Sequence, residues 1–201
     1  MGLTWCTSAP GAEESVGGEG VDEVQRAWVE RFVIGIIDRV VAMELQEQIE
    51  RVALFYDLGG GDPLLPIVKL ASVSWLGRAA RKDPPHSRGW VWMSGEIPLE
   101  IWDLDADEAL VQGAWTMAEC CTYETREEIV RSWMLELAKA LSKADWRNVP
   151  RSADFFVYAC GLDTEHLGEN LSVLLGEARA SDIRGMWGLE EHRPRLDLAE
   201  D

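Results

Sequence analysis

Two short apolar runs rich in aromatic residues limit what this chain can fold into. Residues 51–58 are RVALFYDL and residues 154–160 are DFFVYAC, and a glycine closely follows each run. Their length and their β-branched and aromatic content predict buried strands. The Gly-rich turn at residues 59–63 and the apolar residues 65–71 predict a second strand after the first, so that the two form a hairpin.

The segment before the first strand has the spacing of a helix. Apolar residues recur at nearly every fourth position of residues 22–48 and alternate with charges, which predicts one long helix or two in tandem. Gly35 lies inside this segment and costs a helix about 1 kcal/mol relative to alanine. A buried strand around it therefore stays open. The apolar positions are Val24, Trp28, Phe32, Ile36 and Val40.

Two further helices are predicted in the second half of the chain. Residues 125–144 repeat Ile129, Trp133, Leu137 and Leu141 at every fourth position, and Thr125 with Glu128 has the pattern of a capping box. After the strand at residues 154–160, Thr164 can cap a last helix. The apolar face of that helix consists of Leu167, Leu171, Leu174, Leu175 and Ala178.

The order helix, strands, helix, strand, helix predicts an α+β fold. We expect a single domain with a mainly antiparallel sheet and helices packed on one of its faces. Residues 88–102 are punctuated by Gly89 and Pro98 and are expected to add irregular strand pairing. Residues 1–20 are predicted to be a disordered tail, 21–188 the α+β domain, and 189–201 a polar C-terminal tail.

The charge balance restricts the partners. The formal net charge is -17 and the sequence pI is about 4.5, so the chain repels phosphate backbones and anionic lipids and favours encounter with basic molecules. No nucleic acid is expected as a partner. No leader segment or long apolar stretch is evident, so we expect no membrane association and a cytoplasmic location.

The spacing of the acidic residues, glycines and histidines excludes several classes of site. Asp103, Asp105 and Asp107 resemble the start of a calcium loop, but Glu108 and Ala114 stand where the loop needs glycine and a bidentate acid. The glycines at 59–61 lack the lysine of a phosphate-binding loop, and no histidine has zinc-ligand spacing. We therefore expect no catalytic residues, no metal and no cofactor.

The ten tryptophans are the most unusual feature of the composition. Trp75, Trp90, Trp92, Trp102 and Trp115 lie in the irregular centre of the chain. Exposed tryptophan beside charged residues is typical of the anchor of a protein interface. The acidic ridge, which we define as Glu100, Trp102, Asp103, Asp105, Asp107 and Glu108, is the predicted partner-binding surface.

A family resemblance points the same way. The strand Leu54 to Leu58 after a long helix, and the run Asp154 to Ala159 followed by Asp163 and Asn170, resemble an uncharacterised bacterial domain family with the character of Smi1/Knr4-like immunity proteins. That resemblance covers residues 21–188 and implies binding of a toxin without catalytic residues.

The sequence favours a non-enzymatic, acidic protein-binding module, an immunity or antitoxin-like protein that binds a basic partner such as a toxin. One alternative is an enzyme with an unrecognised active site, in which Cys160, His166 or an acidic pair carries the chemistry. Another is a structural subunit that buries tryptophan in an oligomer. The oligomeric state is left open.

Overall fold

Six α-helices and four β-strands follow one another in the part of the chain that the computed structural model describes, residues 18–57, 65–101, 103–119, 122 and 124–189, with side chains from residue 25 onward. The strands are β1 (Ile49–Tyr56), β2 (Ile67–Ser72), β3 (Leu99–Ile101) and β4 (Arg151–Gly161). The helices are α1 (Gly18–Ala42), α2 (Val73–Lys82), α3 (Glu108–Glu119), α4 (Arg126–Lys143), α5 (Leu167–Leu175) and α6 (Glu177–Trp187).

The strands form one mixed sheet in the order β3-β2-β1-β4. The β1–β2 and β2–β3 pairs are antiparallel, whereas β1 and β4 are parallel. The predicted α+β class with a mainly antiparallel sheet is therefore confirmed, and so is the hairpin of β1 and β2. The parallel pair places the carboxyl ends of β1 and β4 side by side.

Helices cover both faces of the sheet, whereas the order of elements in the sequence favoured helices on one face. Val52 and Leu54 of β1 face a core that contains α1, α3 and α4. Ala53 and Phe55, which alternate with them, face a second core that contains α2, α5 and α6. The expectation fails because side chains alternate along a strand, and β1 is apolar at both sets of positions.

The long helices form where the apolar spacing predicted them. Trp28, Phe32, Ile36 and Val40 of α1 are all buried against α4, whose buried stripe includes Trp133 and Leu137. A Cβ at position 35 of α1 would lie 3.1 Å from Cδ1 of Leu110, which is closer than an ordinary van der Waals contact, so glycine suits this position. The glycine thus allows α3 to approach α1 closely.

Several local predictions differ from the structure. Residues 88–98 contain 3-10 turns instead of strand, and the strand pairing predicted for residues 88–102 is confined, among the described residues, to the short β3. Helix α1 ends at Ala42, and Glu44 has a left-handed φ of 48°. Thr125 precedes α4 but makes no capping hydrogen bond to it, because its hydroxyl is bonded to Thr122.

The C-terminal helical segment is two helices. Gly176, with φ of 80°, separates α5 from α6, because this backbone conformation cannot continue a helix. His166 occupies the position before α5, and Thr164 lies in the preceding turn with φ of 67°. Residues 1–17 and 190–201, which include most of both predicted tails, lie outside the described residues.

Candidate functional site

The acidic ridge divides into carboxylates that are already paired and carboxylates that face outward. Glu100 of β3 forms an ion pair with Lys69 of β2, and both side chains are largely buried. This pair stabilises the β2–β3 edge, which leaves the Glu100 carboxylate less available to a partner. Trp102 lies outside the described residues.

Arg39 of α1 holds the middle of the ridge in place. Its Nε donates to Oδ1 of Asp103 at 3.1 Å, and its Nη2 lies 3.9 Å from Oδ2 of Asp107. Oδ1 of Asp107 also accepts hydrogen bonds from the backbone amides of Ala109 and Leu110, at 3.1 and 3.2 Å, and so caps α3. These contacts fix the loop between β3 and α3 against α1.

The outer side of α3 carries the remaining acidic residues and one exposed indole. Glu108, Gln112, Trp115 and Glu119 are spaced so that they lie on one stripe of the helix, and all four are exposed. Trp115 has 40% of its surface accessible. Asp105, in the turn before the helix, is exposed as well. We call the stripe together with Asp105 the acidic α3 face.

A groove between α1 and α3 lies beside this face. Its cavity volume is ≈ 210 Å³. Trp28 forms part of its wall, and a Cβ at Gly113 would lie 2.9 Å from Cδ1 of Trp28, so the glycine makes room for the ring. The indole Nε1 of Trp28 is buried and has no hydrogen-bond partner among the described residues. The groove is lined by Ala27, Trp28, Arg31, Phe32, Ala109, Leu110, Gly113 and Thr116.

A separate polar network lies at the carboxyl ends of β1 and β4. His166 Nε2 is 2.9 Å from Oε1 of Glu127, and its Nδ1 is 3.3 Å from the hydroxyl of Tyr56. Asn170 Nδ2 donates to that hydroxyl at 3.3 Å. A hydroxyl both accepts and donates, so it can accept from Asn170 and donate to Nδ1 of His166 in the tautomer whose proton is on Nε2.

Asn170 links this network to the sheet and to α4. Its Nδ2 donates to the carbonyl of Ala159 at 2.8 Å, and its Oδ1 accepts from Nε of Arg131 at 2.8 Å. Arg131 in turn pairs with Glu169 at 2.6 Å. The network therefore joins β1, β4, α4 and α5. The sequence singled out His166 as a candidate and Asn170 as part of the resemblance, but it did not predict the network because its members come from separate segments.

The chemistry of this network is that of a structural cluster. Burial raises the pKa of Tyr56 to about 12, so the phenol is neutral at physiological pH. Tyr56 and Asn170 are both buried, which keeps them from contact with a substrate. His166 bonds to Glu127 and Tyr56.

Cys160 lacks the environment of a nucleophile. The side chain is fully buried in the second core, and burial raises the pKa of its thiol far above the ordinary value. A reactive cysteine needs the opposite shift, because the thiolate is the nucleophile. Cys160 therefore acts as a small apolar core residue.

The described residues contain no cluster of three or more histidine, cysteine, aspartate or glutamate side chains placed to hold a metal ion. Among the helices of the same residues, none combines the length and the apolarity needed to cross a membrane. Comparison of the chain with protein-family models, with curated proteins and with solved structures finds no match.

Proposed function

We propose that this chain is a cytoplasmic, non-enzymatic protein-binding module that binds a basic protein through the acidic α3 face. The observation that carries the proposal is the exposure of Trp115 on a helical stripe between Glu108 and Glu119. A large apolar ring costs free energy when it is left in water. Its burial against a partner recovers that free energy, and the carboxylates around it select the charge of the partner.

Charge and position support this assignment. The net charge of -17 steers basic molecules towards the protein, and Asp105 and Glu108 add exposed carboxylates just before and at the start of α3, the helix that carries the indole. Asp103 and Asp107 contribute to the same ridge but share Arg39. Their main role in the proposal is to hold the loop and the start of α3 in a fixed orientation.

The kind of partner follows from the resemblance to Smi1/Knr4-like immunity proteins, for which a toxin is the expected ligand. In this proposal a basic toxin places cationic side chains against Asp105 and Glu108. An apolar side chain of the toxin then packs on the exposed ring of Trp115. Nucleic acids and membranes are not partners in this proposal.

The test is capture of partners on the immobilised protein, with mass spectrometry to identify them, followed by binding kinetics on the captured partner. Trp115→Ala should weaken binding about 30-fold, as expected for an interface anchor worth about 2 kcal/mol. Asp105→Lys with Glu108→Lys should slow association about tenfold at low salt and much less at high salt.

Matched controls lie on helices of the opposite sheet face. Val173→Ala removes an exposed apolar side chain from α5, and Asp182→Lys reverses an exposed charge on α6. Both should bind like the wild type. Unchanged affinity in Trp115→Ala together with an unchanged association rate in the charge-reversed variant would refute the α3 face as the interface. A homodimer that Trp115→Ala dissociates in sedimentation velocity would identify a second copy as the partner.

A further inference from the structure

Arg51 occupies an unusual place in the sheet. It lies in β1 and is buried, with 1% of its surface accessible. Both pairings of β1 change register between Ile49 and Arg51. A register shift of this kind reorients side chains and is common next to binding sites. Here it accompanies an arginine side chain that lies in the core beneath α6.

Aromatic rings surround the guanidinium. Its Cζ lies 4.4 Å from the ring centroid of Trp92, 4.2 Å from that of Trp187 and 5.6 Å from that of Phe156. We call these three rings the Arg51 cage. Attraction between a cation and an aromatic face offsets part of the cost of removing arginine from water. This attraction does not replace hydrogen bonds, because the N–H bonds of the guanidinium lie in its plane and point outward from it.

The donors inside the cage lack acceptors. Nε, Nη1 and Nη2 of Arg51 are buried and have no hydrogen-bond partner in the described part of the chain, and the same holds for the hydroxyl of Tyr158. Glu50 comes nearest, with Oε1 at 3.9 Å from Nε of Arg51, which is too long for a hydrogen bond. Buried polar groups of native proteins are nearly always paired.

The surroundings of the cage favour an anion. Cζ of Arg88 lies 5.7 Å from the ring centroid of Trp187, and Cζ of Arg179 lies 5.9 Å from that of Phe156. Two further arginines therefore flank the cage that holds Arg51, in a protein whose overall charge is strongly negative. The guanidinium offers only donors and the phenol of Tyr158 can add one, so an acceptor-rich, negatively charged group would satisfy both.

We infer that the Arg51 cage is a binding site for a small oxyanion group, a carboxylate or a phosphate, held by Arg51 and Tyr158. The planar fork of a guanidinium matches two oxygens of such a group, and the hydroxyl of Tyr158 donates to one of them. Glu50 is the carboxylate that the ligand displaces from the neighbourhood of Arg51.

Entry to the site requires the end of α6 to move. Trp187 covers the guanidinium, and its backbone carbonyl accepts from Nε1 of Trp92 at 3.4 Å. Nη1 of Arg88 donates to the carbonyl of Met186 at 3.0 Å. Binding should therefore change the environment of Trp187 and be visible in tryptophan fluorescence. The site lies on the sheet face opposite α3, so it is independent of the proposed protein interface.

The test measures thermal unfolding and tryptophan fluorescence while sodium chloride is replaced by sodium acetate or sodium phosphate at constant ionic strength. The melting temperature of the wild type should rise by several degrees and saturate. Arg51→Met should remove the saturable part and leave only the general salt effect. Arg81→Met, at an exposed arginine of α2, should behave like the wild type.

Tyr158→Phe keeps the ring and should weaken the apparent affinity for the oxyanion about tenfold, since one hydrogen bond to a charged group is lost. If Arg51→Met does not fold, the affinity of Tyr158→Phe for the oxyanion tests the proposed site by itself. A response to acetate alone identifies a carboxylate ligand, and a response to phosphate alone identifies a phosphate ligand. Equal shifts in the wild type and Arg51→Met, or an unchanged affinity in Tyr158→Phe, would overturn the inference.

Discussion

Replacement of Asn170 by alanine should lower the free energy of unfolding more than replacement of an exposed asparagine does. Asn170 is fully buried. Its amide donates to the carbonyl of Ala159 at 2.8 Å and to the hydroxyl of Tyr56 at 3.3 Å, and its oxygen accepts from Nε of Arg131 at 2.8 Å. The substitution removes three hydrogen bonds and leaves the carbonyl of Ala159 without this partner.

The expected cost follows from these bonds. A neutral hydrogen bond contributes about 1 kcal/mol, and a bond to a charged group such as Arg131 contributes about 2 kcal/mol. The three bonds together contribute about 4 kcal/mol. Rearrangement of the side chains around the new alanine recovers part of this free energy. For a domain of this size the melting temperature changes by about 3 °C per kcal/mol. We expect the free energy of unfolding to fall by about 3 kcal/mol and the melting temperature by about 10 °C.

Urea unfolding followed by circular dichroism measures this change directly. The matched control is Asn148→Ala, because Asn148 is exposed in the turn between α4 and β4. The control should change the free energy of unfolding by less than about 0.5 kcal/mol. If Asn170→Ala is no more destabilised than the control, the network contributes no net stability and the reasoning is wrong.

Three further predictions concern ionisation, reactivity and packing. In the folded protein the pKa of Tyr56 is raised from 10.0 to about 12, so the unfolded chain loses the phenol proton at a lower pH than the folded protein does. The free energy of unfolding should therefore fall as the pH rises from 10 to 12. Urea unfolding should show a shallower fall in Tyr56→Phe. Cys160 should resist alkylation in the native protein and react after denaturation, as read by peptide mass mapping; rapid native labelling would contradict its burial. Gly185→Ala should stabilise α6 by about 0.5–1 kcal/mol because open space surrounds that position. Gly113→Ala should show no such gain in the same unfolding assay, since its Cβ would lie 2.9 Å from Cδ1 of Trp28.

The parts of the fold that the sequence predicted are those with a regular apolar period. Residues 125–144 match α4, Arg126–Lys143, and residues 154–160 fall inside β4, Arg151–Gly161. In α4 one buried stripe determines both the local structure and the packing, whereas β4 was predictable from a continuous apolar and aromatic run. At residues 88–98 no period exists. Arg88 donates to the backbone carbonyls of Ala80 and Asp83 in the preceding segment and to that of Met186, 98 residues away, so specific side-chain contacts and not a repeating pattern determine the conformation.

The candidate sites were less predictable than the fold. The ridge stays a prediction, although the structure shows that Arg39 pairs with Asp103 and Asp107 across 64 and 68 positions. The partners of His166 lie in α4 and β1 and share no motif. Arg51 stood at the start of a predicted strand, where an arginine ordinarily reaches solvent. Only the arrangement of β1 beneath α6 shows that it is buried.

The parallel pairing of β1 with β4 has a consequence for how the chain reaches its native state. The two strands are about a hundred residues apart, so a long loop must close before they meet, and such contacts slow folding. The β1–β2 hairpin can form early from neighbouring residues. Until β4 arrives, β1 has an open edge that is apolar on both faces and can pair with another chain. Yield on refolding should therefore decline with rising protein concentration.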